Sequence, residues 1–493
     1  MKLFKTFFVL TAAWVATHSM QKSTFAQLAS PASQGASDAT GSRDQPRPTP
    51  TTRPEMKRLL EDMKTRKERI PLPPLSDIDK ESSDPRTQGY EGRLGKLFLP
   101  TTNGARGYLN FSGSQKRNPA VTQPSNRPAV EEDLALTLDY GFKTRLFWIA
   151  SRVNNCQYCL GHQESKLLGV GMLEDAIAAL DSDWSKFPVE EQAAFALARR
   201  LTLEPNLLSD EDIAECKKYY SDLQVLEIIL SVSGNNAINR WKEGVGVPQS
   251  TSGGSFGVPN ASDQKAHSYL TDTSAPFLTA ISKTIYSSDP LHSADPSKTV
   301  AVKSAIGGDA ATKLQEAVKR TPRLPLVSNE RAREILGELA PAGVVPNWMR
   351  LLLNFPVAGK RQIASLVTAE TELELNQLIL AQMSWVIALQ NGAWYSLGEA
   401  QKRLKDLGQT NEQIDALAQL GELSGKDKLS PKDRALLIVA KNLAASPVVL
   451  TDRQVDQALK LSSSQDVVQA VHYTAMRSMF DRFTEAAALA TDR

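Results

Sequence analysis

A chain of 493 residues with 41% hydrophobic and 23% charged side chains is too long for a single core and has the composition of a soluble globular protein. Its length suggests about two to four domains. The formal net charge of +2 is spread along the chain, which leaves no electrostatic footprint for nucleic acid.

The first element is a leader. "MKLFKTFFVLTAAWVATHS" sets Lys2 and Lys5 ahead of an apolar run from Phe7 to Ala16. That run is too short to span a bilayer but suits a secretory h-region. Small residues at Thr24 and Ala26 place cleavage after Ala26, so residues 1–26 are expected to be a signal peptide and the protein to be exported to the periplasm or beyond. No cysteine follows the run, which argues against a lipoprotein anchor, and no other stretch suggests membrane insertion. Residues 27–54 are rich in Pro, Ser, Thr and Gly and are expected to be a disordered linker. "MKRLLEDMKTRKER" (56–69) mixes charges of both signs and reads as a solvated helix.

Beyond this the period is helical. Phe142, Leu146, Ile149, Ala150 and Val153 fall on one face of a helix, and Ala194, Leu197, Ala198 and Leu201 repeat the pattern. Ser209 stands as an N-cap before another helix. Convincing alternating strands are missing, so the expected fold is all-α. A second low-complexity tract at 246–309 divides the ordered chain into domains at 55–245 and 310–493.

These halves resemble each other. "YLNFSGSQKR" (108–117) matches "LLNFPVAGKR" (352–361), and "WIASRVNNCQYCLGHQ" (148–163) matches "WVIALQNGAWYSLGEA" (385–400). Residues 194–212 match 436–454, and "AINRW" (237–241) matches "MFDRF" (479–483). Matches in one order with small changes in offset point to a tandem duplication. Trp148, Asn154, Tyr158, Leu160 and Gly161 recur as Trp385, Asn391, Tyr395, Leu397 and Gly398, whereas Cys156, Cys159 and His162 become Ala393, Ser396 and Glu399. The scaffold is repeated without its reactive groups, so the second copy reads as degenerate.

Cys-x-x-Cys on the first turn of a helix has a chemical use. The partial positive charge of a helix N-terminus favours a thiolate, and a second thiol nearby can close a disulfide on the oxidised sulfur. His162, three residues after Cys159, falls on the same face and can exchange a proton. An attached haem needs His directly after the second Cys, and Leu160 and Gly161 intervene. A zinc site needs a fourth ligand; Cys216 is the available candidate, but its counterpart Ala458 marks a small core position. A passive disulfide is the third alternative, although so small a loop contributes little through chain entropy. Among the other histidines, His18 leaves with the leader, His267 and His292 fall in the second tract, and His472 reads as a partly buried packing residue.

A helical repeat carrying "CQYCLGH" and "NRW" resembles the carboxymuconolactone decarboxylase / alkylhydroperoxidase D-like family over residues 69–245 and 310–490. "RLPLVSNERAREILGELAPAGVVPNWMRLLLNFPVAGKRQ" (323–362) is similar to that family's entry segment. The resemblance implies peroxidase chemistry, with Cys159 as the peroxide-attacking thiolate, Cys156 as its disulfide partner and His162 in the proton relay. It implies a hydroperoxide substrate, an external lipoyl- or thioredoxin-like dithiol as reductant, homo-oligomeric assembly, and no metal, haem or flavin. Two positions depart from the family's pattern: Thr144 stands where a Glu is expected, and Gln163 where a His is expected. Glu164 and Asp139 are the candidate substitutes for the missing carboxylate. A thiol–disulfide oxidoreductase for exported proteins and a non-catalytic helical scaffold with a passive disulfide are the competing expectations.

Overall fold

A computed structural model of the chain describes residues 43–82, 85–100, 107–108, 110–111, 133–249, 310–420 and 429–491. The expected leader, most of the second low-complexity tract, His18, His267 and His292 lie outside these residues. The described elements are helices, and no β-strand occurs among the described residues. The all-α expectation therefore holds.

Among the helices that precede the first bundle are α1 (Arg53–Asp62) and α2 (Tyr90–Phe98). The bundle follows as α3 (Tyr140–Asn154), α4 (Gln157–Gly169), α5 (Glu174–Ser182), α6 (Val189–Leu203), α7 (Asp210–Lys217) and α8 (Asp222–Val245). After α9 (Pro356–Thr371) the second bundle runs α10 (Gln377–Asn391), α11 (Trp394–Asp406), α12 (Asn411–Ala418), α13 (Pro431–Ala444), α14 (Asp452–Leu461) and α15 (Ser464–Ala486). Further short helices lie at Asp77–Glu81, Pro85–Gln88, Ala310–Ala317, Asn329–Leu336 and Asn347–Leu352.

Local chemistry sets the helix ends. Asp139 caps α3 by accepting from the Phe142 N–H (2.8 Å), as Asn376 caps α10 by accepting from Ile379 (2.9 Å). Both helices stop on a left-handed residue, Asn155 (φ 54°) and Gly392 (φ 64°), residue types that tolerate that conformation. Ser221 and Gln224 form a capping box at the start of α8, and Ser463 and Asp466 form one at the start of α15.

Helices α8 and α15 are buried along almost their whole length and pack on one another. Their approach is close at Gly244, where an added Cβ would lie 2.5 Å from Val471 Cγ1. A buried polar network runs along this seam. Asn154 donates to Asn236 (2.8 Å) and Asn239 (2.9 Å), and accepts from Ser446 of the second bundle (2.8 Å). Buried amides are tolerable there because each finds a partner. The two bundles thus belong to one compact unit, Thr40–Arg493.

The N-terminal region departs from the sequence-based expectation. Of residues 27–54, expected to be linker, 43–54 pack against the body of the protein. Arg53 is 1% exposed and pairs with Glu164 and Glu174, the latter also through Nε (2.8 Å). The helix expected to be solvated begins there, at Arg53, and buries Met56 and Leu60. Composition misses this segment because extended chain docks through backbone carbonyls and the arginines Arg43, Arg47 and Arg53, none of which leaves an apolar period.

Candidate redox site

Cys156 is the N-cap of α4 and Cys159 lies at its third position, so both sulfurs sit at the helix N-terminus. They stand at disulfide distance, with Cα atoms 5.3 Å apart. The backbone here does not demand cysteine. Cys156 has φ −82° and ψ 88°, and Ala393, which the sequence match places opposite it, has φ −87° and ψ 95° at the start of α11. The flanking hydrogen bonds also agree: Cys156 N to Ser151 O and Ala393 N to Ala388 O are each 2.9 Å. The same turn is built with and without the dithiol.

The site is roofed by the N-terminal segment. Asn155 Nδ2 donates to Arg47 O (3.0 Å) and Pro48 O (3.2 Å), Gln157 Nε2 to Pro48 O (2.8 Å), and Arg152 Nη2 to Pro50 O (3.3 Å). These bonds fall on either side of Cys156. Cys156 is 0% and Cys159 2% exposed. The segment is tied at its far end to the second bundle, where Arg43 pairs with Asp456 and its carbonyl accepts from Arg453 N (3.1 Å).

His162 is half-buried and stacks on Tyr158, with ring centroids 6.0 Å apart and planes 15° from parallel. The structure therefore brings His162 to the aromatic residue between the two cysteines. Lys242, near the end of α8, sets its ammonium 4.4 Å from the Tyr158 centroid and pairs with Glu91 of α2. Glu91 also accepts from Trp241 Nε1 (2.7 Å). Burial opposes the charge on Lys242, but Glu91 and, after it, Tyr158 more than offset this and its pKa is raised. Lys166, one turn beyond His162, is pushed down to about 8 by burial and by the charge of Lys242.

The expected carboxylate substitutes are engaged elsewhere. Asp139 caps α3, and Glu164, fully buried, is held by Arg53 and by Lys57 (3.1 Å). Thr144 donates to the Tyr140 carbonyl (2.8 Å), and Gln163 is buried. Cys216 is apart from the pair: it is buried in α7 and its thiol lies 3.4 Å from Ala193 O, with burial pushing its pKa up to about 12. Ala458, matched to it, is also buried, as the small-core reading requires. His472 is 5% exposed, bonds through Nδ1 to the Tyr108 hydroxyl (2.5 Å) and packs edge-on against Trp241 (6.3 Å).

Lys242 and Glu91 escaped the sequence reading. Each resembles an ordinary surface charge in its own segment, and 151 residues separate them. The one available signal was that Lys242 directly follows the "NRW" match.

No family model matches the chain, and no curated protein is similar to it at a significant level. No helix among the described residues is long and apolar enough to cross a membrane.

Proposed function

We propose that the protein is a thiol-dependent peroxidase whose first bundle carries the working dithiol and whose second bundle is a degenerate copy. The observation that carries this reading is the Cys156–Cys159 pair at a helix N-terminus, set against the same turn built from Ala393 and Ser396. A pair needed only for packing would have no reason to be replaced together in a turn whose geometry is unchanged.

The chemistry balances on the dithiol alone. The Cys159 thiolate attacks the O–O bond of a hydroperoxide, becomes a sulfenic acid and releases an alcohol once the departing oxygen is protonated. The Cys156 thiol then displaces water from the sulfenic acid and closes the disulfide. An external dithiol of lipoyl or thioredoxin type returns two electrons and two protons. His162 is suited to deliver the proton to the departing oxygen. Export would place this cycle in an oxidising compartment, where the pair rests as a disulfide. The repeat interpretation is supported by helices of similar length in the same order and by equivalent contacts. Glu227 accepts from Thr137 and Leu138 N–H groups, and Gln469, matched to it, accepts from Glu374 and Leu375.

Burial of both sulfurs favours a small substrate over exchange with a protein disulfide, which would need one sulfur at the surface. The same burial favours a second reading, a passive disulfide. Reducing the pair and adding one equivalent of an organic hydroperoxide separates the two. The peroxidase reading requires the loss of two thiols and formation of the Cys156–Cys159 disulfide. A reduced pair that persists under peroxide would overturn the peroxidase reading and leave disulfide exchange or a passive disulfide.

A further inference from the structure

Lys242 is 8% exposed, and the aromatic ring it faces belongs to the Cys-x-x-Cys turn itself. Tyr158 lies between the cysteines and stacks on His162, so a charge fixed on its ring is fixed on the whole turn. Glu91 does the fixing, and Trp241 Nε1 in turn holds Glu91. Such an arrangement is a poor source of stability, because removing a cation and an anion from water offsets most of their attraction.

The second bundle supplies the comparison. Tyr158 recurs there as the buried Tyr395, and Arg240 recurs as Arg482, which sets the register of the two long helices. In that register Lys242 is matched by Thr484. Thr484 turns its hydroxyl back to the Phe480 carbonyl (2.9 Å), and Tyr395 meets the Phe480 ring at 5.8 Å. At the position of Lys242 the half without the dithiol therefore carries a threonine. Lys242 disappears together with Cys156, Cys159 and His162, while the residues that build the helix seam remain.

We infer that Lys242, anchored by Glu91, is a positioning residue of the dithiol site: it holds a positive charge against the Tyr158 ring and thereby favours the thiolate of the reduced pair. This rests on the reading that the pair cycles between dithiol and disulfide. It also gives the site an electrostatic activator where Thr144 offers no carboxylate. The charged and titratable groups around Lys242 are Glu91 on α2, Tyr158 and Lys166 on α4, and Glu243 beside it on α8, with Tyr108 and His472 packed on the neighbouring Trp241. Glu243 is occupied by Arg66 (3.1 Å) and Arg47 (3.5 Å).

The test is the ultraviolet thiolate titration of the reduced full chain, with the double Cys156→Ser, Cys159→Ser variant subtracted as background. Lys242→Met keeps the length of the side chain and removes its charge. The midpoint of thiolate formation should rise by about one pH unit, a tenfold loss of thiolate at neutral pH. Lys242→Arg should restore a midpoint close to that of the unaltered protein. An unchanged midpoint in a Lys242→Met protein with an unaltered melting temperature overturns the inference. If Lys242→Met does not fold, Lys242→Gln takes its place: it removes the same charge with a polar side chain, and the same upward shift is expected, with an unchanged midpoint again decisive against. The titration uses no peroxide. A shifted midpoint in a protein that ignores hydroperoxides would keep this inference and lose the peroxidase.

Discussion

Arg240 and Arg482 make the same bond in opposite directions across the seam between the bundles. Arg240 Nη2 donates to Ala444 O (2.9 Å) and Arg482 Nη2 donates to Thr202 O (2.8 Å), and both reach Ser446 Oγ. Ala444 and Thr202 align when the two similar halves of the sequence are matched, so the contact is reciprocal. Each arginine is 0% exposed.

Because the seam is shared, the bundles should unfold together. Arg240→Met or Arg482→Met leaves buried carbonyls without a donor, a loss of about 1–3 kcal/mol each. Urea denaturation of the unaltered protein should show one transition by fluorescence and circular dichroism, moved to lower urea in each variant. Two separate transitions would show that the bundles are independent.

Arg53 should matter as much, although it sits in a stretch that looks like linker. Arg53→Met strands Glu164 and Glu174 with only Lys57 as counter-charge, and removing one partner from a buried ion cluster costs about 3–5 kcal/mol. A change under about 1 kcal/mol in urea midpoint analysis would mean the cluster is wetter than its burial indicates.

The contrast between Arg53 and the dithiol shows what a sequence can disclose. Helical period, capping residues and the Cys-x-x-Cys turn are local signals, so the all-α class and the pairing of Cys156 with Cys159 were legible. Partners distant in sequence leave no local mark. Arg53 meets carboxylates 111 and 121 residues away, and Lys242 meets Glu91 across 151, so neither is marked by its own segment. The match of the two halves adds a comparison that no single segment offers, since it sets Ala393 and Ser396 against Cys156 and Cys159.

His472 gives the protein a predictable weakness in acid. Burial holds its pKa at about 4, below the ordinary 6.5, so the native state keeps it neutral while the unfolded chain takes up a proton. Its folded pKa is depressed. The stability it contributes is therefore complete above pH 6.5 and lost as pH falls toward 4, in total about 3 kcal/mol. His472→Gln should flatten the fall in urea midpoint between pH 7 and 4; an equally steep fall would place the acid sensitivity elsewhere.

The roof over the dithiol should control how fast small reagents reach it. Asn155→Gly preserves the left-handed backbone at this position and deletes the bonds to Arg47 and Pro48 carbonyls. Reduction of the disulfide by a small phosphine should accelerate several-fold, while global stability falls by only about 1 kcal/mol. An unaltered reduction rate would mean that the segment does not limit access.

The most direct measurement is a single turnover of the pre-reduced protein with an organic hydroperoxide, following peroxide loss and disulfide formation together. Cys216, buried and with its thiol pushed up to about 12, should stay silent. If Cys159 is the attacking thiolate, consumption is fast and stoichiometric, disappears in Cys159→Ser, and leaves a trappable sulfenic acid in Cys156→Ser. A rate no faster than that of a free thiol, in a protein whose pair is demonstrably reduced, would contradict the peroxidase function.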